Sequence, residues 1–271
     1  MNFMNKNYVF YDLETNGLDY YTTGIMQISI IDKDNNILLN QYSYPFDNRI
    51  DGTHIHGIDE QKLINNKAIT TTKLCELIKE VLRKKFGRED VYMIAYNNFG
   101  YDQIILENNF KISNIKMPYN WYFVDLLPII KDLNLNIQPN YKLCTVYENL
   151  CDKDNNINFH CALADTTCLY HIFEKIKNIQ NINDIINKFT RSELKNNNIF
   201  DSPISSLNGY HKSINFELKG YITIGDIYAI FKNNNYDNSK FEEYLRNKLN
   251  MYSNFYIKNL IKQINIIYYF S

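Results

Sequence analysis

Short apolar blocks punctuated by polar turns organise the first two thirds of this chain. Tyr8–Leu13 is a β-rich run that ends on an acidic pair. Ile25–Asp32 and Ile37–Tyr44 follow, parted by the turn signal K-D-N-N, and the three predict an antiparallel meander. The period then changes. Within Ala68–Phe86, the residues Leu74, Leu77, Ile78, Val81 and Leu82 recur at helical spacing. Val91–Ala95 and Tyr122–Leu126 read as buried strands, and Tyr101–Phe110, Tyr141–Leu150 and Ala162–Ile176 as helices. The order β-β-β-α-β-α-β-α-α predicts an α/β architecture, a mixed five-stranded sheet flanked by helices.

Near residue 180 the texture shifts to the polar, repetitive Asn178–Asn183, which places a boundary between a domain over residues 1–179 and an extension over 180–271. The extension is expected to be mostly helical. It holds a helix at Asp184–Leu194, a loop at Ser202-Pro203, a β-like run at Ile214–Ile224 and a long helical pattern from Phe241 to about Ile267. Its charge balance is slightly basic, which suits gripping a nucleic-acid strand, docking on a polymerase or plain packing alike.

Composition narrows the classes. The formal net charge of -1 gives no global basic field, although a groove can still concentrate positive charge. Five cysteines without a C-x-x-C pair point away from zinc and a disulfide framework and towards reduced thiols in an intracellular compartment, cytoplasmic or nuclear. The opening M-N-F-M-N-K-N lacks the apolar core of a secretory signal, and no run is long enough to span a bilayer. Asn makes up roughly 15% of residues, a skew towards AT-rich codons that carries no chemistry.

Candidate chemistry lies in acids. Asp12 and Glu14 stand two apart on a strand, so both side chains leave one face while Leu13 enters the core. A buried-looking strand should not end in two same-face acids without a reason. Asp102 opens a helix in A-Y-N-N-F-G-Y-D, and His160 and Asp165 bracket H-C-A-L-A-D. Residues five apart on one helix diverge by about 140°, so the pair shares a site only if His160 precedes the helix and Asp165 sits in its first turn. His54 and Asp59 have the same spacing, so spacing alone decides nothing. Asp125 reads as a loop anchor, and His54 and His56 as turn residues. Gathered carboxylates repel one another unless divalent cations neutralise them.

These segments, in this order, resemble the DEDDh (DnaQ-like) 3′–5′ exonucleases of the ribonuclease H-like fold. Y-D-L-E-T-N-G-L resembles the first motif, D-x-E-T-x-G; A-Y-N-N-F-G-Y-D resembles the second; H-C-A-L-A-D resembles the third, H-x4-D. Tyr96 stands where a histidine is common, and Asp102 follows an unusual Phe-Gly-Tyr spacer. Cys161 occupies the place of the tyrosine in the sister class, which favours the histidine class.

The resemblance implies two Mg²⁺ or Mn²⁺ held by Asp12, Glu14, Asp102 and Asp165, with His160 as general base. Thr15, Asn16, Gly17 and Leu18 would line the terminal nucleotide, with Asn97 and Phe99 on the far wall. The implied reaction releases nucleoside 5′-monophosphates from the 3′ end of single-stranded or 3′-ended DNA or RNA. Two alternatives stay open: an idle nucleic-acid-binding or scaffold module on the same fold, and a ribonuclease H- or integrase-type endonuclease.

Overall fold

The computed structural model describes residues 3–18, 23–151, 159–192 and 224–249, together with 257, 258, 260, 261 and 264. The chain divides into two compact units, residues 1–193 and 194–271. The division falls later than the compositional break near 180, because the polar Asn178–Asn183 is followed by elements of the first sheet.

Those elements are strands β1 (Asn7–Thr15), β2 (Ile25–Asp32) and β3 (Ile37–Tyr44), short helices α1 (Thr53–His56) and α2 (Glu60–Asn65), and strand β4 (Ile69–Thr70). Helix α3 (Thr71–Phe86), strand β5 (Val91–Ala95), helix α4 (Asp102–Ile112), strand β6 (Trp121–Asp125) and helices α5 (Leu126–Asp132) and α6 (Leu143–Leu150) follow. Helices α7 (Ala162–Ile176) and α8 (Ile182–Lys188) and strand β7 (Thr190–Ser192) complete the unit.

The sheet has seven strands in the order β4-β3-β2-β1-β5-β6-β7, two more than expected. Both additions are short edge strands. β4 pairs parallel with the end of β3, where Thr70 turns to cap α3 by accepting the Lys73 N–H at 3.4 Å. β7 pairs antiparallel with β6, setting Arg191 opposite Phe123, in a stretch whose composition reads as helix. Elements of two or three residues are too short to display a period.

β1 organises both layers. Val9, Tyr11 and Leu13 pack with α3 and α4 on one side. Tyr8 and Phe10 pack with α5, α6, α7 and α8 on the other, where Phe10 and Phe173 meet edge to face at 5.4 Å. Such a ring pair adds about 1 kcal/mol to the burial itself. Asp12 and Glu14 continue the Tyr8/Phe10 side, so β1's alternation aims them at the α7 layer. β1 pairs antiparallel with β2, Asp12 opposite Ser29 and Glu14 opposite Gln27, and the register shifts between Glu14 and Thr15. It pairs parallel with β5 only as far as Phe10–Ile94, so its acidic end projects past that neighbour.

The second unit contains helix α9 (Ile224–Asn233) and helix α10 (Asn238–Leu249), with the Phe231 and Phe241 rings 5.2 Å apart. Residues 257, 258, 260, 261 and 264 are also helical. α9 begins where the β-like run was expected to end; the rest of that run, the Ser202-Pro203 loop and parts of the closing helix lie outside the described residues. Among the described residues no helix is long and apolar enough to cross a membrane.

Candidate metal and nucleic-acid site

β1 ends in Asp12 and Glu14, and α7 carries Asp165 in its first turn. One carboxylate oxygen from each of the three lies within 4.8 Å of the other two. Glu14 and Asp165 are buried and Asp12 half-buried. Asp102 lies outside this trio, at the head of α4, yet its charge acts on Asp12. The Asp102 carboxylate draws on its own backbone N–H and on that of Leu13, which lies past the end of the β1–β5 pairing.

Burial without enough donors dominates the electrostatics. Desolvation and the neighbouring carboxylates Asp102, Asp165 and Glu14 push Asp12 well above the usual carboxylate range. Burial and the Asp165 charge raise Glu14 to about 8, against a smaller downward pull from Lys62. Burial raises Asp165 to about 6, resisted by the His160 N–H and the His160 side chain. The Asp165 Oδ1 is buried with no hydrogen-bond partner. An orphaned oxygen among three converging carboxylates is a donor set that a hard divalent cation fits.

His160 sits on the bend before α7 with a left-handed backbone (φ 67°), and its N–H donates to Asp165 Oδ2 at 3.1 Å. The histidine thus precedes the helix and the aspartate opens it, the only arrangement in which residues five apart share a site. His160 itself is exposed. The competing His54/Asp59 pair has a different explanation. Asp59 caps α2 by accepting the Lys62 N–H at 2.7 Å, and buried His56, beside it in the turn, accepts the Ile58 N–H at 3.0 Å.

The loop after β1 is tied down. Asn16 is buried; its amide donates to Asp47 and to the Arg49 carbonyl, and its oxygen accepts the Gly24 N–H. Those bonds fix the loop rather than leave the amide for a ligand. The Thr15 hydroxyl, the Tyr101 hydroxyl and the Gly17 carbonyl lie mutually within hydrogen-bond reach, with two protons to serve the three contacts. Leu18, next along, is 73% exposed.

The segment that leads into α4 is the 3-10 turn Asn98–Gly100. Asp125 anchors it, accepting the Phe99 N–H at 2.9 Å while capping α5 through Leu127 N–H at 3.1 Å. At Gly100 a Cβ would lie 2.5 Å from Asn97 Oδ1, so a larger residue would have to displace the Asn97 side chain. Asn98 is a residue that sequence reasoning missed. Fully buried, it accepts from the Tyr11 hydroxyl and donates to the Met93 and Val124 carbonyls, riveting β1, β5 and β6 beside the turn. No local pattern signals it, because its partners lie on three different strands. Tyr96 donates to the Tyr141 carbonyl at 2.6 Å, away from the acids.

Residues 9–173 match the exonuclease family RNase_T. The chain belongs to that family. It is 28% identical over 178 residues to the chloroplastic/mitochondrial exonuclease DPD1 of Arabidopsis thaliana, covering 61% of this chain and 54% of that protein. Its fold is similar to E. coli exonuclease I in a zinc-bound complex with single-stranded DNA, with TM-score 0.55 and 18% identity over 66% of this chain and 42% of that one. The complex of the same enzyme with a dA16 oligonucleotide gives TM-score 0.55 and 18% identity over 68% and 43%. This chain therefore spans about half the length of the curated relative and less of the structural ones. The architecture is ribonuclease H-like, the family is one of exonucleases, and the acidic cluster is suited to a divalent metal.

Proposed function

We propose that this chain is a metal-dependent 3′–5′ exonuclease that releases nucleoside 5′-monophosphates. The observation that carries the reading is the convergence of Asp12, Glu14 and Asp165 within 4.8 Å, with Asp102 acting on Asp12. In this reading Asp12, Glu14 and Asp165 would hold one Mg²⁺ or Mn²⁺, and Asp12 and Asp102 would hold a second. Bound there, such ions would supply charge neutralisation for the phosphate and for the leaving 3′-oxygen. His160, exposed before α7, takes the proton of the attacking water, the general-base role an imidazole can fill. Its N–H bond to Asp165 sets the bend from which the ring reaches. Thr15, Asn16 and Gly17 form the backbone wall for the terminal nucleotide, exposed Leu18 wedges against its base, and Asn97 and Phe99 close the far side.

Single-stranded DNA is the first substrate to test, because fold relatives have been captured with it. The experiment compares 5′- and 3′-labelled DNA and RNA oligonucleotides, single- and double-stranded, in Mg²⁺ and Mn²⁺. Stepwise shortening from the 3′ end, with mononucleotide release and loss in Asp12→Ala and His160→Ala, supports the reading. Cleavage of a circular substrate would show an endonuclease. Binding without hydrolysis would show an idle module.

A further inference from the structure

We propose that Arg191, seated on the Phe99 ring, grips a phosphate of the substrate strand next to the active site. This rests on the exonuclease reading above. β7 sets Arg191 opposite Phe123, and its guanidinium carbon lies 3.9 Å from the centre of the Phe99 ring. Phe99 belongs to the turn that Asp125 anchors and that leads directly into Asp102. Arg191 is exposed, and no carboxylate pairs with it among the described residues.

The chemistry follows from the stack. A guanidinium whose carbon sits 3.9 Å over a ring centre spends no N–H group on that contact, and those N–H groups match a phosphate in a bidentate fork. The ring holds the long side chain in one arrangement, so less freedom is lost when the phosphate arrives. The need is local. Asp12, Glu14, Asp102, Asp125 and Asp165 gather at this end of the sheet and leave no fixed positive charge among themselves, so a cation for an upstream phosphate has to come from the wall beside them. Arg191 also lies beyond residue 173, where the family match ends, so the grip comes from β7 and not from the motif segments. The plain alternative is an edge-strand charge that discourages sheet-to-sheet pairing.

The test uses the full chain as wild type, Arg191→Gln and Arg191→Lys. One readout is anisotropy of a 5′-fluorescein oligothymidylate across a salt series. The other is turnover of that oligonucleotide against turnover of the p-nitrophenyl ester of thymidine 5′-monophosphate, which has no upstream strand. Arg191→Gln should weaken oligonucleotide binding about tenfold and flatten the log–log salt slope by about 0.7, the contribution of one phosphate contact on a single strand. KM for the oligonucleotide should rise with kcat little changed, and ester turnover should fall less than twofold. Arg191→Lys should keep the slope and recover only part of the affinity, because the charge remains while the stack is lost.

An unchanged slope and KM in Arg191→Gln, in a preparation whose wild type degrades the oligonucleotide, overturns this inference alone. So does a lowered Tm that accounts for the whole defect. A wild type that binds with an Arg191-dependent slope but hydrolyses nothing overturns the exonuclease reading and leaves the grip standing.

Discussion

β2 has a buried carboxylate setting at each end, and the two are opposites. At its far end Asp32, 1% exposed, accepts the Asp34 and Asn36 N–H groups, the Asn36 amide and the Lys85 ammonium at 2.8 Å. Burial alone would raise its pKa, but Lys85 and Asn36 outweigh burial and leave it lowered. At the near end Asp12 and Glu14 face Asp165 with few donors, and all three are raised. Burial is common to both ends; the supply of donors differs. A carboxylate tied to its own chain holds a fold, whereas carboxylates left short of donors wait for a cation from outside.

The comparison breaks most visibly through activity. Asp12→Asn or Asp165→Asn should cut turnover by about three orders of magnitude, on the scale of losing a main transition-state contact. The same change should leave metal-free Tm equal or higher, because like charges are no longer confined together. Calorimetry in EDTA beside an oligonucleotide assay reads both. Asp32→Asn should do the reverse, lowering Tm because the bonds that Asp32 accepts from Lys85 and from the Asp34 and Asn36 N–H groups lose their charge, with turnover retained below the melting temperature. Loss of turnover without loss of stability in that variant would show the two ends to be alike.

Next in size is pH. Glu14, ordinarily 4.5, stands at about 8 in the folded chain, and Asp165, ordinarily 3.8, at about 6. The folded protein keeps protons that the unfolded chain releases, so this contribution is full below the ordinary values. It is lost as pH rises through 6 and then 8. Metal-free Tm should therefore fall between pH 5 and 8, and saturating Mn²⁺ should recover most at the alkaline end, where protons no longer compete. A rise in EDTA across that window would contradict the donor-poor description. Smallest is Lys62→Met. Removing the one charge that pulls Glu14 down should move the Glu14 titration in the metal-free protein further up, followed by carboxyl carbon NMR.

Sequence made the site more legible than its surroundings. Strand alternation put Asp12 and Glu14 on one face. The polar stretch before Ala162 left room for His160 ahead of the helix, and α7 starts and ends where its period does. The strands β2, β3, β5 and β6 were equally plain, because long apolar runs report burial directly. β4, β7 and α1 carry too few residues for a period, and α2 and α5 begin at caps, Asp59 and Asp125, whose role shows only with the partner N–H in place. Asn98 and Arg191 act across strands that are distant in sequence, so no local pattern announces them.

Strand β7 sets a limit on trimming the molecule. A chain stopped at residue 180, where composition invites the cut, would retain every acid of the cluster. It would also uncover the outer edge of β6, whose Tyr122, Phe123 and Val124 pair with β7. An apolar edge with free N–H and C=O groups is a template for another copy's strand. Such a fragment would invite edge-to-edge aggregation, so the shortest version worth expressing runs through residue 193.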